Sequence, residues 1–389
     1  MNTQKPNIFS GHVGSLEPAE LSMAVQAGRR LGSLDLYRGL VMVLLMLDST
    51  GFFEHMISMT RGTAWHGFWI EFSHHPWHGL HFWDLIQPGF MFIAGVAMAF
   101  SLTKRASRGG SWHSLGWHAL KRSWWLFFWG VLDYAVRGDH LSFELWDVLT
   151  QMSFTMLLAF LIYRWKAGYQ LLLTVGLLVL TACLYRLTNV PGFDQPFTDQ
   201  HNFGNYIDLA LMNKINPGGW VAINCIPTAA HTIWEAVAGK WLLSLYGNKR
   251  KLMYISLLGL ATLILGYGLD IMNITPIIKR IATTSFTLVS GGWCLLGLAF
   301  LYGWIDVWQH KKYIRFFVIV GMNSLFIYLF FEIVVSRWLR GYTEVIVHGI
   351  LSFFPIGINI IHIVAALVIF ALEWGLCYWL YRKKIFFKI

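Results

Sequence analysis

The chain has 389 residues, of which 56% are hydrophobic and only 13% are charged, and its formal net charge is +10. Soluble domains carry about 25% charged residues, so this composition excludes an ordinary soluble enzyme. The basic residues flank apolar segments, which argues against nucleic acid as a partner. Because each apolar segment is long enough to cross a bilayer, and lipid leaves backbone polar groups only internal partners, we predict an all-α, polytopic membrane helix bundle.

The predicted elements begin with a cytoplasmic N-terminal tail over residues 1–30, which lacks the apolar core of a signal peptide. Residues 31–389 then form a transmembrane domain with about ten spans. The predicted spans cover residues 34–54, 82–103, 119–136, 145–163, 168–187, 222–245, 252–272, 284–305, 314–336 and 359–381. The short apolar segment 342–357 contains Pro355 and is predicted to be interfacial or re-entrant.

The distribution of Lys and Arg predicts the orientation of the spans, because cytoplasmic loops of membrane proteins are enriched in these residues. With the N-terminus inside, most of the 30 Lys and Arg residues fall in cytoplasmic segments. We therefore expect both termini in the cytoplasm and an even number of spans. Two outer segments are long, residues 55–81 and 188–221, and long loops in compact proteins usually carry function or are disordered.

The densest polar group lies in residues 71–84, at the outer end of the second predicted span. Its histidines titrate near neutral pH and suit proton transfer, and Asp84 could orient one of them or accept a proton. At this point a catalytic histidine, a divalent metal site and an interfacial belt of aromatic residues and histidines all remain open. No metal site is predicted, since Pro76 separates His74 from His78 and no HExxH pattern occurs.

Further polar side chains lie inside the predicted spans, and each should have a partner because a charge or amide in lipid is costly. Helix–helix packing is the simpler explanation for any single one of them. These residues are Asp35, Arg38, Asp48, Gln151, Asn224, Glu235, Asn323, Glu332 and Glu373. Arg38 could pair with Asp35 or Asp48.

An ordered set of motifs extends along nearly the whole chain. The longer ones are residues 33–40 (SLDLYRGL), 74–80 (HHPWHGL), 84–95 (DLIQPGFMFIAG), 321–324 (GMNS) and 380–389 (LYRKKIFFKI), and the shorter ones are residues 206–208, 223–224 and 238–239. Taken together and in this order, they resemble the heparan-α-glucosaminide N-acetyltransferase family and its bacterial relatives. One such motif would be weak, whereas the ordered set is specific.

The resemblance implies transfer of an acetyl group from cytoplasmic acetyl-CoA to an amino sugar such as glucosamine across the membrane. It implies that His74 is catalytic, as a base or as an acetyl carrier, and we expect Asp84 to support it. Where the family often has an Asn late in the first span, this chain has Ser49 beside Asp48. If the family Asn assists the acyl carbonyl, Ser49, Asp48 or a neighbouring residue is expected to take that role here.

The implied substrates assign further residues. Acetyl-CoA carries several negative charges and would be attracted by basic inner loops. The predicted acetyl-CoA contacts are Arg38, Lys104, Arg105, Asn224, Asn323, Lys311 and Lys312. The predicted acceptor contacts are His75, Trp77, His78 and Glu332. This chain departs from the family at His78, where Asn is common, and at Gln87, where an apolar residue is usual.

The resulting prediction is an acyltransferase of the bacterial inner membrane, embedded in the lipid bilayer and compatible with a homodimer. A sugar permease or other transporter is the main alternative, because a many-helix bundle with buried charges also describes a carrier. Two features favour the enzyme, namely the lack of an apparent internal repeat and the grouping of polar residues at one outer mouth. A membrane scaffold without chemistry would leave the histidine cluster unexplained.

Overall fold

The computed structural model describes residues 31–136, 141–312 and 314–387. Within these ranges regular structure is helical, and the β-type pairing there is one isolated bridge between His78 and Ile278. This confirms the predicted all-α class. The α-helices are α1 Gly32–Ser49, α2 Phe52–Met59, α3 His66–Ile70, α4 Ile86–Ala106, α5 Trp112–Ala135, α6 Val148–Leu161, α7 Ala167–Leu187, α8 Phe203–Met212, α9 Cys225–Leu243, α10 Asn248–Ile271, α11 Thr284–Leu301, α12 Arg315–Gly321, α13 Ser324–Phe330, α14 Arg340–Leu351 and α15 Ile358–Arg382.

Five helices among the described residues are long and apolar enough to cross a membrane, and two bent helix pairs raise the number to seven if each pair is one span. The five are Phe82–Ala106, Ala167–Leu187, Asn248–Ile271, Thr284–Val307 and Ile358–Arg382. The chain therefore has the character of a multi-pass helical membrane protein. The remaining predicted spans fall on α5, α6 and α9, and the total of about ten stays a prediction.

The first predicted span, residues 34–54, is not one straight helix. α1 ends at Ser49, and α2 begins at Phe52 with its axis turned by 66°. Between them Gly51 has φ 79°, a left-handed conformation that glycine adopts without a steric penalty. The predicted span is therefore a bent pair of helices, which together are apolar enough to form a single span.

The ninth predicted span, residues 314–336, is also broken. α12 ends at Gly321, and the following helical run Ser324–Leu351 is turned by 75°. That run passes through the π-helical segment Phe331–Leu339 and ends as α14. Much of the segment 342–357, which was predicted to be a separate interfacial piece, is therefore the end of this longer run.

Contacts divide the chain into two compact units. Among the described residues, unit 1 comprises Leu31, Pro76–Leu80 and Gln87–Gly303. Unit 2 comprises Gly32–His75, His81–Ile86 and residues 304–387. Unit 2 is thus built from the two ends of the described chain, and the histidine-rich loop contributes residues to both units.

In unit 2, α1 and α12 approach each other at two glycines. A Cβ atom on Gly39 would lie 2.1 Å from the carbonyl oxygen of Phe317, and one on Gly321 would lie 2.9 Å from the backbone nitrogen of Gly39. Small residues permit such close packing of membrane helices. Packing therefore explains the glycines in two of the motifs, SLDLYRGL and GMNS.

The N-terminus of α1 is closed by a side chain from the last third of the chain. The Asp306 carboxylate accepts hydrogen bonds from the backbone N–H groups of Gly32 and Ser33, each at 3.0 Å. The first N–H groups of a helix have no partner within the helix, and a negative charge there is favourable. Asp306 therefore fixes the start of the first helix.

In unit 1, two residues of the DLIQPGFMFIAG motif contact polar side chains of other helices. The Gln87 amide donates to Gln151 at 2.9 Å, and Gln151 donates to the Trp146 carbonyl oxygen at 3.3 Å. A Cβ atom on Gly95 would lie 2.6 Å from a carboxyl oxygen of Glu235. The unusual Gln87 thus has a buried amide partner, and Gly95 leaves room for Glu235.

Candidate functional site

Asp84 is the centre of a hydrogen-bonded group in unit 2. Its side chain is buried, with 1% of its surface exposed. One carboxyl oxygen contacts His74 Nδ1 at 2.9 Å, and the other accepts the backbone N–H groups of His75 at 3.2 Å and His81 at 2.9 Å. Asp84 thus joins the His74 ring to the backbone of the loop at His75 and His81.

The contact with Asp84 determines how the His74 ring can act. An ionised carboxylate accepts the proton on Nδ1, so the neutral imidazole carries its lone pair on Nε2. The His74 side chain is 40% exposed, whereas Asp84 is buried. The ring is thus held through Nδ1 by a buried carboxylate, which is how a general base is oriented.

The loop around this pair is closed at its two ends. The Glu71 carboxylate accepts the Phe82 backbone N–H at 2.9 Å, and the Glu71 carbonyl accepts the Trp83 N–H at 2.9 Å. Phe53 of α2 stacks on Phe72 at 4.7 Å and contacts the Trp83 ring at 5.3 Å. These contacts hold the backbone on both sides of His74 and thereby position its imidazole.

The short segment Pro76–Leu80 is held by other residues, all in unit 1. Trp77 donates its indole N–H to the Phe197 carbonyl at 2.7 Å. His78 Nε2 contacts Asp270 at 2.8 Å, and the Gly79 N–H donates to the Ile277 carbonyl at 2.9 Å. Asp270 was not singled out from the sequence, because it ends a predicted span without any motif around it.

The remaining predicted substrate contacts lie in unit 2. The His75 ring packs edge-to-face against His81, with ring centroids 4.8 Å apart. Glu332 lies half-buried in the π-helical segment Phe331–Leu339, and its carbonyl oxygen accepts the Ser336 hydroxyl. Of the predicted acceptor contacts, the structure therefore brings His75 to the His74–Asp84 pair.

The two residues proposed to replace the family Asn lie in the last turn of α1. The Ser49 hydroxyl donates to the Met46 carbonyl one turn earlier, at 2.8 Å, and Asp48 is exposed. Serine often makes this bond inside a helix, where it satisfies the hydroxyl locally. Their assistance to the acyl carbonyl stays a prediction.

The predicted acetyl-CoA contacts are divided between the two units. Lys104 and Arg105 lie in the last turn of α4, in unit 1, while Lys311 and Lys312 lie on an exposed turn before α12, in unit 2. Arg38 is half-buried in α1. Cations in the last turn of a helix are favoured by its dipole, so the position of Lys104 and Arg105 also has a purely structural explanation.

The two predicted asparagines make structural hydrogen bonds. Asn224 donates to the Arg280 carbonyl at 2.7 Å, in unit 1. In unit 2, Asn323 donates to the Ile385 carbonyl at 3.1 Å and accepts the Phe387 N–H at 3.0 Å. Asn323 thus attaches residues 385–387 to the break between α12 and α13, and both the NH₂ group and the carbonyl oxygen of its side-chain amide are hydrogen-bonded.

Asp208, in one of the shorter motifs, is fully buried in α8 of unit 1. Its carboxylate accepts the Trp146 indole N–H and the Ala222 backbone N–H, both at 2.9 Å. Burial raises the pKa of Asp208 to about 7, against the opposite effect of these two hydrogen bonds. The sequence pointed to this segment and did not identify the residue.

A second polar group in unit 2 was also missed from the sequence. His55 of α2, Glu344 of α14 and His362 of α15 are half-buried, and their ligand atoms lie within 4.8 Å of one another. Motif searches rely on short spacings along the chain, and these three residues come from distant helices. None of these three residues is among the site residues predicted from the sequence.

Comparisons with known proteins give a partial similarity. No protein-family profile matches the chain. A stretch of 106 residues is 32% identical to the heparan-alpha-glucosaminide N-acetyltransferase of Mus musculus and covers 27% of this chain and 14% of the mouse protein. A stretch of 98 residues is 31% identical to the Homo sapiens protein of that name and covers 25% of this chain and 12% of the human protein. About a quarter of the chain is therefore similar to a small part of two mammalian N-acetyltransferases.

Proposed function

We propose that this chain is a membrane acyltransferase that moves an acetyl group from acetyl-CoA to an amino sugar, with His74 as the catalytic residue. The observation that carries the proposal is the 2.9 Å contact between His74 Nδ1 and the buried Asp84 carboxylate. It orients the imidazole and sets its tautomer, as acyl transfer requires of a base. The similarity to two N-acetyltransferases supports the same reaction class.

In the direct route, His74 Nε2 removes a proton from the acceptor amine while the amine nitrogen attacks the thioester carbonyl. The new C–N bond forms, the C–S bond breaks, and the imidazolium returns its proton to the departing thiolate. In the covalent route, Nε2 attacks the thioester carbonyl, the C–S bond breaks and the CoA thiolate leaves; the acceptor amine then attacks the acetyl group on Nε2, the Nε2–acetyl bond breaks, and the amine proton passes to the freed imidazole or to the thiolate. Asp84 serves both routes, because each develops positive charge on the His74 ring.

Acetyl-CoA enters from the cytoplasmic face in this proposal, and the amino sugar enters from the opposite face, with the protein in the inner membrane of a bacterium. Lys311 and Lys312 are exposed and could attract the nucleotide phosphates, as could Lys104 and Arg105. Neutralising these four side chains should weaken acetyl-CoA binding and reduce its dependence on salt. Unchanged binding and unchanged salt dependence would remove the electrostatic part of the proposal.

The central test uses protein purified in detergent, labelled acetyl-CoA and a panel of amino sugars. We expect acetylated product with the natural protein and none above background with the His74→Ala variant. The matched control is His118→Ala, which removes an exposed histidine of α5 that belongs to no motif. Turnover should remain normal in this control.

The same preparation separates the enzyme from a carrier, because detergent leaves no gradient along which a substrate could move. Normal turnover in the His74→Ala variant would refute the assigned role of His74. If no acceptor consumed acetyl-CoA, while vesicles containing the protein accumulated unmodified sugar, the transporter alternative would replace the acyltransferase.

A further inference from the structure

His55, Glu344 and His362 form a compact group of potential metal ligands in unit 2. Each residue offers one ligand atom, and these atoms lie within 4.8 Å of one another. The two imidazole rings are stacked nearly parallel, with centroids 4.7 Å apart and an interplanar angle of 9°. The three side chains come from α2, α14 and α15, so the group joins three helices.

One imidazole nitrogen of the group has an unsatisfied hydrogen-bonding capacity. His55 Nε2 is buried and has no hydrogen-bond partner among the described residues. A buried polar atom without a partner costs about 1–3 kcal/mol, and most such atoms in folded proteins bind water, an ion or another group. The Nε2 lone pair of a neutral imidazole is a good ligand for a transition metal.

The charges around the group favour a cation. Arg340 Nε contacts Glu344 at 3.0 Å, and Arg340 Nη2 contacts Glu54 at 3.3 Å. These two carboxylates and one guanidinium carry a net charge of −1, and the two imidazoles add none when they are neutral. A bound divalent ion would therefore meet an attractive local field, and Arg340 would keep Glu54 as a partner when Glu344 turns toward the ion.

We propose that His55, Glu344 and His362 bind a divalent transition metal ion, with Zn²⁺ as the best fit. Two imidazole nitrogens and one carboxylate oxygen form a known zinc ligand set, in which water occupies the fourth position. Zinc–nitrogen bonds of about 2.0–2.1 Å place the ligand atoms of a tetrahedral site about 3.3 Å apart, so the three side chains would draw closer together when the ion binds. The ion ties α2, α14 and α15 together, and the site does not depend on the proposed acyl transfer.

The test is a Zn²⁺ titration of the full-length protein in detergent after removal of metal with a chelator. We expect one ion per chain in the natural protein. His55→Ala and His362→Ala should each weaken binding by roughly 100-fold or more, since even loss of an outer partner of a metal ligand costs about 10–100-fold. Glu344→Gln should also weaken Zn²⁺ binding, because it removes the charged ligand of the group.

The matched control is His348→Ala, because His348 is an exposed histidine one turn after Glu344 on the same helix. This variant should bind one ion with unchanged affinity. X-ray absorption of the zinc-loaded natural protein gives a readout that does not depend on any variant, and it should show two imidazole ligands. Absence of stoichiometric binding, equal loss in His348→Ala, or a spectrum without imidazole scattering would overturn the proposal.

Discussion

Asp84→Asn is the sharpest perturbation of the proposed site, because it changes one atom of a fully occupied carboxylate. One oxygen of Asp84 accepts two backbone N–H groups, those of His75 and His81, and the other contacts His74 Nδ1. An amide has a single acceptor oxygen. It should turn that oxygen toward the two backbone donors, which places its NH₂ group against His74 Nδ1.

The exchanged tautomer is the expected consequence for His74. The NH₂ group of the new Asn is a donor, so His74 Nδ1 must accept a hydrogen bond from it. The ring proton then moves to Nε2, and Nε2 loses the lone pair that would act as the base. General acid–base catalysis by a side chain is worth about 10²–10⁴-fold. The same exchange in a serine protease triad costs about 10⁴-fold in kcat. We therefore expect kcat to fall by about 10²–10⁴-fold, with little change in the KM for acetyl-CoA.

The fold should survive this change. The amide keeps its bonds to the backbone of the loop, and we expect a loss of about 1–3 kcal/mol from the weakened hydrogen bonds. The matched control is Glu71→Gln, which alters a carboxylate of the same loop that accepts the Phe82 N–H. Its amide oxygen can replace that acceptor, so kcat should stay within a few-fold of the natural value.

The assay measures kcat and KM separately with labelled acetyl-CoA, and elution from a sizing column monitors folding. A folded Asp84→Asn variant with nearly normal kcat, beside an inactive His74→Ala variant, would refute the role of Asp84 in setting the tautomer. An equal loss in the Glu71→Gln control would show that the loop as a whole, and not the carboxylate, is sensitive.

Three further predictions concern the fold. Gly39→Ala should lower the melting temperature measurably, because its Cβ would overlap the backbone of the neighbouring helix. The control Gly341→Ala has open space around it and should not lower it. Equal melting temperatures for the two variants would contradict the described packing. The pKa of Asp208 is raised from 3.8 to about 7, so the contribution of its protonated carboxyl to stability is present below pH 4 and is lost as the pH rises through 7. Asp208→Asn should therefore flatten the dependence of the melting temperature on pH between pH 5 and pH 8. An unchanged profile would argue against the raised pKa. A C-terminal reporter should be active in the cytoplasm, and activity only outside would refute the predicted orientation.

The sequence was sufficient for the helical class and for the pairing of His74 with Asp84. Apolar stretches long enough to span a bilayer leave few alternatives to helices, since lipid provides no hydrogen-bond partners. The two paired residues lie close together in a loop that is dense in polar residues, so their contact could be inferred from a short stretch. Their catalytic role stays a prediction.

The breaks in the first and ninth predicted spans could not be read from hydrophobicity. Taken as a whole, the segment around Gly51 is apolar enough to pass for one span, and the 66° bend between its two helices appears only in the structure, where Gly51 has a left-handed φ. The residues that lie close to His78 and His55 could not be predicted for another reason. Asp270 and Glu344 reach them through tertiary packing, which a single sequence does not encode as a local pattern.

Unit 2 combines residues from the beginning and from the end of the described chain, so its assembly depends on the order of synthesis. The partners that fix α1, namely Asp306 at its N-terminus and Gly321 beside Gly39, are synthesised after nearly all of unit 1. At 5–20 residues per second, the first helix waits roughly a quarter of a minute to one minute for them. A premature stop codon shortly before Asp306 would therefore leave an inserted but unassembled first helix, which is the kind of orphan segment that membrane proteases remove.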